Sequence, residues 1–529
     1  MHAFMLVIGM CLAASIAMII QNWFLRKISV NYIALLIGIL LALVLGAKII
    51  SFQPELFMGL IIAPLLFFEG QQNRLYNIAR SWKSIVSITV IMILIATVFA
   101  AFSLKLMLGL SLSLSFILAA ISTPTDATAT ESVTHGLKIP HVVEKYLKNE
   151  SLFNDASGII LLNMAVSWYL SKHLQIGFTF IRFLYSAIGG ILFGLLASVV
   201  LVLIRQQLLR RNLKFVANNY DPTTAILLLY ILTPILLYYA AEEIHVSGII
   251  AVVVSGLIHN AETERSRLTN LNFIYNGFQT IRTLSDLLNC IVFVGLGASL
   301  VLVMQGKFLP SRIDLAIIIG VVLYVANVFV RFLYSYVVLK MGSYDSWIFA
   351  LGGIHGAVTF ALAYTLDATL ISSSRFHLIL FSEATLIILS MIIPTIIFNF
   401  ILPKKRSDEE QEMAIDKVKE DMVKYALTEL NKIYLPKKIR KQLEFDLKAQ
   451  IDETSMKDFL HELKKSIKQP EATSDELEFR DEIYRYAFRL ERNYLGQVAQ
   501  QKQEYREGFL SLYREILLAE VLFLNSDNE

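Results

Sequence analysis

Apolar residues fill blocks of about 20 positions along the first 400 residues, separated by short polar loops. A helix of about 20 residues crosses the hydrocarbon core of a bilayer. Runs of that kind fall at 3–23, 30–48, 54–69, 84–104, 111–133, 149–170, 180–204, 222–241, 245–259, 283–304, 313–339, 347–370 and 376–402. They predict about thirteen transmembrane helices. The third and ninth are short, and the ninth fits a re-entrant segment as well as a span. After Leu402 the pattern changes. Apolar positions recur at helical spacing among charges, as in 455-SMKDFLHELKKSIK and 484-YRYAFRLERNYL, with breaks near Pro436 and Pro470. The reading is an all-α polytopic membrane protein over 1–402 and a helical, cytoplasmic, regulatory C-terminal domain over 403–529.

Composition agrees with two solvents. The 529 residues are 56% hydrophobic and 17% charged. About 50 of the charged side chains lie beyond Leu402, in roughly a quarter of the chain. No basic patch is interleaved with stacking aromatics, so nucleic acid is not an expected partner. The tail has Gly496 and Gly508 as its glycines and no Gly-rich strand–helix turn, so a dinucleotide-binding domain is not expected. Cys11 and Cys290 sit in apolar runs and form neither a disulfide framework nor a metal spacing. No cofactor is expected. The start, MHAFMLVIGM, lacks a basic stretch and reads as a first span.

Loop charges set the orientation. One set of loops carries Arg26 and Lys27, Arg74, Arg80 and Lys83, Lys138, Lys145 and Lys148, and Arg205, Arg210, Arg211 and Lys214. The same set continues with Arg265, Arg267 and Arg282, then Lys340, then Lys404, Lys405 and Arg406. The alternate loops carry Lys48, Lys105, Lys172, Lys307, Arg312 and Arg375. The positive-inside rule places the first set in the cytoplasm, with the N-terminus outside and the tail inside.

Ionisable side chains inside a membrane are costly and default to function. Four stretches hold them. In 149-NESLFNDASG-158, Ser151 and Asp155 share one helix face, and Glu150 and Asn154 share the neighbouring face. A carboxylate with a hydroxyl one turn away supplies hard oxygen ligands for a small monovalent cation, or takes a proton. Pro140 offers a start for this helix well before Asp155. In 122-STPTDATATESV-133, Pro124 breaks the helix amid hydroxyls that include Thr125, with Asp126 among them. Unwound backbone at membrane depth lines a cavity or a binding site. In 352-GGIHGAVTFALA-363, Gly352, Gly353 and Gly356 argue for unwinding or close packing around His355. The two interruptions fall in spans five and twelve, as two six-helix inverted repeats with broken crossing helices would place them. In 63-APLLFFEG-70, Glu69 closes the third span, where it would complete an ion site or guard its entrance. Asp286, Asn289, Arg331 and Glu383 also lie in spans and receive no assigned chemistry, Arg331 being read as snorkelling or pairing structurally.

FFEG, the PTD break, ESLFND and GGIHGA, in this order within thirteen spans, resemble the electroneutral Na+/H+ exchangers, the NhaP-like antiporters and NHE-type exchangers, over about 400 residues. The resemblance implies that Asp155 binds cation and proton alternately. Asn154, Ser151, Thr125 and Glu69 would lie at the ion, with Asp155, Ser151 and Thr125 as its ligands. Asp126 would cap the half-helices beside Pro124. It also implies a core domain moving against a dimerisation domain, in a homodimer in the plasma membrane serving pH homeostasis. One position departs: the family has arginine in GGxRGA, paired with the glutamate that is Glu150 here, and this chain has His355. A Glu150–His355 pair that is neutral, weaker or pH-dependent is therefore expected, with protonation of His355 modulating activity.

The implied activity is electroneutral antiport of Na+, or of Li+ or K+, for H+, with no covalent catalysis. Asn154 in place of a second aspartate argues against an electrogenic second proton. The alternative is a sodium-coupled symporter of a small solute on a related fold. An enzyme has no support, since neither HExxH nor GxSxG occurs. A passive channel would want a repeated filter loop, which the sequence lacks.

Overall fold

The computed structural model describes residues 2–25, 28–45, 54–172, 176–212, 223–266, 271–304, 310, 312–366, 371–404, 408–451, 474–501 and 506–525. The loop charges Arg26, Lys27, Lys48, Lys214, Arg267, Lys307, Lys405 and Arg406 lie outside these residues, as do the stretch 455–468 and Pro470. Among the described residues every regular element is helical. The chain divides into two units, Met1–Pro403 and Lys404–Glu529.

The first unit begins with α1 (His2–Trp23), α2 (Val30–Leu45) and α3 (Pro54–Gln71), the last with a π-type turn over Met58–Ile62. A short α4 (Leu75–Arg80) leads to α5 (Trp82–Leu108), which has a second π-type turn at Ser87–Met92. The fifth apolar run is two half-helices, α6 (Leu112–Ile121) and α7 (Ala127–Val133). There follow α8 (His141–Ser171), α9 (Ile176–Asn212), α10 (Thr223–Glu243), α11 (Gly248–Ser266), α12 (Leu271–Met304) and α13 (Ile313–Val337). The twelfth run is again split, into α14 (Ser343–Leu351) and α15 (Ala357–Tyr364), and α16 (Ser373–Ile401) ends the unit.

Several of these helices are longer than their apolar runs. α9 and α12 extend past the hydropathy limits because their ends are helical but polar. The ninth run lies in a continuous helix of 19 residues. α8 starts at His141 with Pro140 before it, so Asp155 lies in mid-helix.

Two groups of helices pack within this unit. α2 lies along α12, α3 along α11, and α9 along α11. The other group joins α5, α6, α8, α13, α14 and α16. Small residues permit the close approaches: Gly297 faces the Leu35 carbonyl, Gly256 the Phe67 carbonyl and Gly194 the Ala251 backbone. Apolar side chains also cover the outside. α9 exposes Leu184, Ile188, Leu192, Leu196, Val200 and Leu203. In water such a face would be unstable; in lipid it is the solvent-matched surface.

The second unit contains α17 (Asp408–Leu430), α18 (Lys437–Ala449), α19 (Ser474–Gln501) and α20 (Arg506–Asn525). Val418, Met422, Val423, Ala426 and Leu430 line one face of α17 and pack with Tyr484, Phe488, Leu512 and Ile516. The spacing is that of amphipathic helices around a water-soluble core.

Candidate functional site

Unwinding a helix inside a membrane leaves orphan carbonyls before the break and orphan N–H groups after it. At the first break the hydroxyls fold back. Ser122 Oγ donates to the Ala119 carbonyl (2.9 Å) and Thr123 Oγ1 to that of Ala120 (2.8 Å). Asn327 of α13 donates Nδ2 to the Ser122 carbonyl at 3.2 Å. Beyond the break, Asp126 is the N-cap of α7. Its Oδ1 accepts from the Thr128 and Ala129 N–H groups at 2.8 and 3.1 Å and from the Thr128 hydroxyl at 2.7 Å.

The second break crosses the first. The Asp126 N–H donates to the Ile354 carbonyl at 2.8 Å. The carboxylate of Asp126 also accepts from the Ala357 N–H, at the start of α15. One aspartate thus caps two half-helices and meets the positive ends of both. Gly356 carries no side chain because a Cβ there would run into the Asp126 carboxylate. The Pro124 carbonyl, which has lost its helical partner, accepts from His355 Nδ1 (2.8 Å) and from the Thr359 hydroxyl (3.2 Å). The Thr130 hydroxyl stands 2.9 Å from the Gly352 carbonyl.

α8 passes this crossing at Gly158, where an added Cβ would lie 2.8 Å from the Pro124 ring. One turn earlier are Asn154 and Asp155, at 0% and 3% exposure. Asn154 donates Nδ2 to Thr125 Oγ1 at 2.6 Å, which fixes α8 against the break. Asn154 Oδ1 and Asp155 Oδ1 have no hydrogen-bond partner among the described residues. Each is a buried acceptor with no donor among the described residues, and the carboxylate oxygen is one that a cation or a proton would complete. Ser151 is buried one turn below, its hydroxyl 3.3 Å from the Lys148 carbonyl. Glu69 is half-buried, and the charged groups facing it are Asp126, Glu131, Asp155 and Lys148.

The expected Glu150–His355 pair is not formed. Glu150 Oε1 pairs with Nη1 of Arg331, and both side chains are buried. His355 instead holds the broken backbone at Pro124. The reason is packing: α13 runs beside α14, and its Arg331 reaches the carbonyls of Phe349 (3.0 Å) and Ala350 (3.3 Å) at the C-terminal end of that half-helix. A cation is favourable at a helix C-terminus. Gly353 lacks a Cβ where the guanidinium passes. The arginine that the resemblance places in the glycine-rich break is thus supplied, in its pairing with Glu150, by another helix. A cavity of about 10 Å³, room for roughly one water, lies among Thr123, Thr125, Glu150, Asn327, Arg331 and His355.

Residues 6–404 match the family described as sodium/hydrogen exchanger, transmembrane. The chain belongs to the sodium/hydrogen exchanger family. Among curated proteins it is 29% identical over 416 residues to a sodium, potassium, lithium and rubidium/H+ antiporter of Bacillus pumilus (strain SAFR-032), covering 75% of this chain and 60% of that one. An uncharacterized Na+/H+ exchanger of Escherichia coli (strain K12), YjcE, is 26% identical and covers 85% of each chain. The chain spans about three fifths of the length of the Bacillus relatives it matches, 60% and 62%. The fold resembles the sodium proton antiporter MjNhaP1 from Methanocaldococcus jannaschii, with a TM-score of 0.57 at 20% identity. That likeness covers 75% of this chain and 97% of the other.

Within this exchanger-family chain the structure brings Thr125, Asp126, Asn154 and Asp155 together and faces Glu69 toward them. Reading the sequence gave no role to Asn327, and to Arg331 only snorkelling or structural pairing. Their signal was present: they are a polar pair one turn apart in the middle of a largely apolar 25-residue helix. Glu383 of α16 is fully buried, with neither oxygen partnered among the described residues, and it has no part in the crossing.

Proposed function

We propose that the chain exchanges a monovalent cation for a proton, with both competing for Asp155. The observation that carries this reading is the buried Asp155 Oδ1, without a hydrogen-bond partner among the described residues, on the helix that packs against a crossing of two broken helices. A bare carboxylate is costly to move through a low-dielectric path, whereas one neutralised by a proton or a bound cation is not. Exchange then follows from competition and alternating access. One mobile charge gives one cation per proton. Thr125 and Ser151 supply further oxygens to the cation, Asn154 positions Thr125, and Glu69 tunes the approach.

The same reading extends to the architecture. We take the apolar helices as thirteen spans in two inverted six-helix repeats, whose broken members are α6–α7 and α14–α15. The loop charges favour an outside N-terminus, a cytoplasmic second unit with a regulatory role, and residence in the plasma membrane. A homodimer is the assembly the family resemblance implies. Na+ is the first candidate cation, with Li+ and K+ as alternatives.

The test is dissipation of an imposed pH gradient in everted vesicles on adding Na+, Li+ or K+. Wild type should collapse the gradient with a ranking that names the substrate, and Asp155→Asn should not. Equal activity in the variant would remove Asp155 from the carrier role.

A further inference from the structure

Lys148 lies on the same face of α8 as Ser151 and Asp155, since positions i, i+3 and i+7 align along a helix. It is two turns, about 10 Å, from Asp155 along the axis. Its ammonium is shared between two carboxylates: Glu131 Oε1 at 3.3 Å, from the half-helix that Asp126 caps, and Glu144 Oε1 at 3.5 Å, one turn back on α8. All three side chains are about half exposed. Exposed pairs of this kind add little to stability, so the consequence of the ammonium is the charge it places there. The group is within electrostatic reach of Glu69, which also faces Asp155 and Asp126. A fixed positive charge therefore stands at the foot of the stripe that ends at the ion-binding carboxylate.

We propose that Lys148 sets the cation affinity of the exchange site from its mouth, as an intrinsic positive charge that opposes the entry of both the metal cation and the proton. The inference rests on the exchange reading above and deepens it. With Lys148 in place, one of the two negative charges of Glu131 and Glu144 is offset and the field at Glu69 and Asp155 is moderated. Without it, Glu131 and Glu144, with Glu69 in electrostatic reach, attract any monovalent cation. Because cation and proton compete for one carboxylate, both should bind more tightly, so the effect has two signatures with linked signs.

The experiment measures cation-dependent exchange in everted vesicles, and Na+- or Li+-dependent thermal stabilisation of the purified full chain. Lys148→Gln should lower the half-saturating cation concentration at alkaline pH by about 2- to 10-fold, as one charge removed at about 10 Å implies. It should also move the acid limb of the pH profile to higher pH. The affinity change should shrink in high concentrations of a non-transported salt. Lys148→Arg should behave as wild type, Glu131→Gln should weaken the cation, and Glu131→Gln/Lys148→Gln should return toward wild type. An exchanging wild type with Lys148→Gln unchanged in affinity and pH profile overturns the inference alone. So does Lys148→Arg altered as much as Lys148→Gln, or Glu131→Gln that tightens the cation. Wild-type vesicles inert to every cation overturn the exchange reading and this inference with it.

Discussion

A guanidinium at 4% exposure must place a charge and five N–H donors without water. Arg331 does so with Glu150, two carbonyls of α14 and the face of Phe349, 4.6 Å from its ring centre. Removing one member of such a pair strands the other, at a cost of about 3–5 kcal/mol. Arg331→Met should therefore strongly lower the thermal stability of the purified protein, and Glu150→Gln/Arg331→Met should recover much of it. A double variant no more stable than the single would show that the carbonyl bonds, not the pair, dominate. His355 leads to the opposite expectation. A neutral imidazole suffices for its bond to Pro124, and glutamine can donate the same bond. His355→Gln should thus keep the pH profile of exchange, while His355→Ala should cost about 1 kcal/mol. A shifted profile in His355→Gln would restore the titrating role that the sequence suggested. The expected pairing of His355 with Glu150 failed for a physical reason: Asp155 and Thr125 stand out because polar groups in apolar runs are conspicuous, but the partner of Glu150 is decided by packing between residues 181 positions apart.

The breaks were legible as elements because their causes are local. Proline removes a donor, and glycines at 352, 353 and 356 weaken a helix wherever they fall. What the sequence does not reveal is why each glycine is there. Gly353 clears the path of Arg331 and Gly356 that of Asp126, both contacts from distant helices. Helix ends were under-read for a related reason: a hydropathy scan stops at polar residues that remain helical, as in α12. The π-type turns in α3 and α5 had no visible signal. The crossing yields a prediction at this scale. Gly356→Ala should push Asp126 off one or both half-helices, costing about 1–3 kcal/mol as overpacking does and reducing exchange at least tenfold. Gly342→Ala, at the N-cap of α14 with nothing within 4 Å, should be near neutral. Size-exclusion profiles and vesicle exchange of the two variants compare them directly; equal behaviour would show that the cap tolerates displacement.

Across the whole molecule, carboxylates are buried in both units, and the second unit gives one whose titration is accessible to measurement. Glu491 on α19 is 0% exposed, and the polar groups facing it are Gln450, Arg492 and Lys419. Burial, the largest influence, raises its pKa from 4.5 to about 7, against smaller opposing effects of those neighbours. The folded unit then holds a proton that the unfolded chain releases, so the contribution to stability is complete below about pH 4.5 and fades as pH rises through 7. Between pH 6 and 8 the loss is about 1 kcal/mol, close to a tenfold change in local opening. Hydrogen exchange in the intact protein should therefore show protection of α17 and α19 falling over that interval, after correction for intrinsic rates. Glu491→Gln, which removes the charge and keeps the shape, should make protection flat with pH and equal to the low-pH value. Unchanged pH dependence in that variant would place the titrating group elsewhere. The same variant, assayed for exchange at pH 6 and 8, would reveal whether the loosening reaches transport.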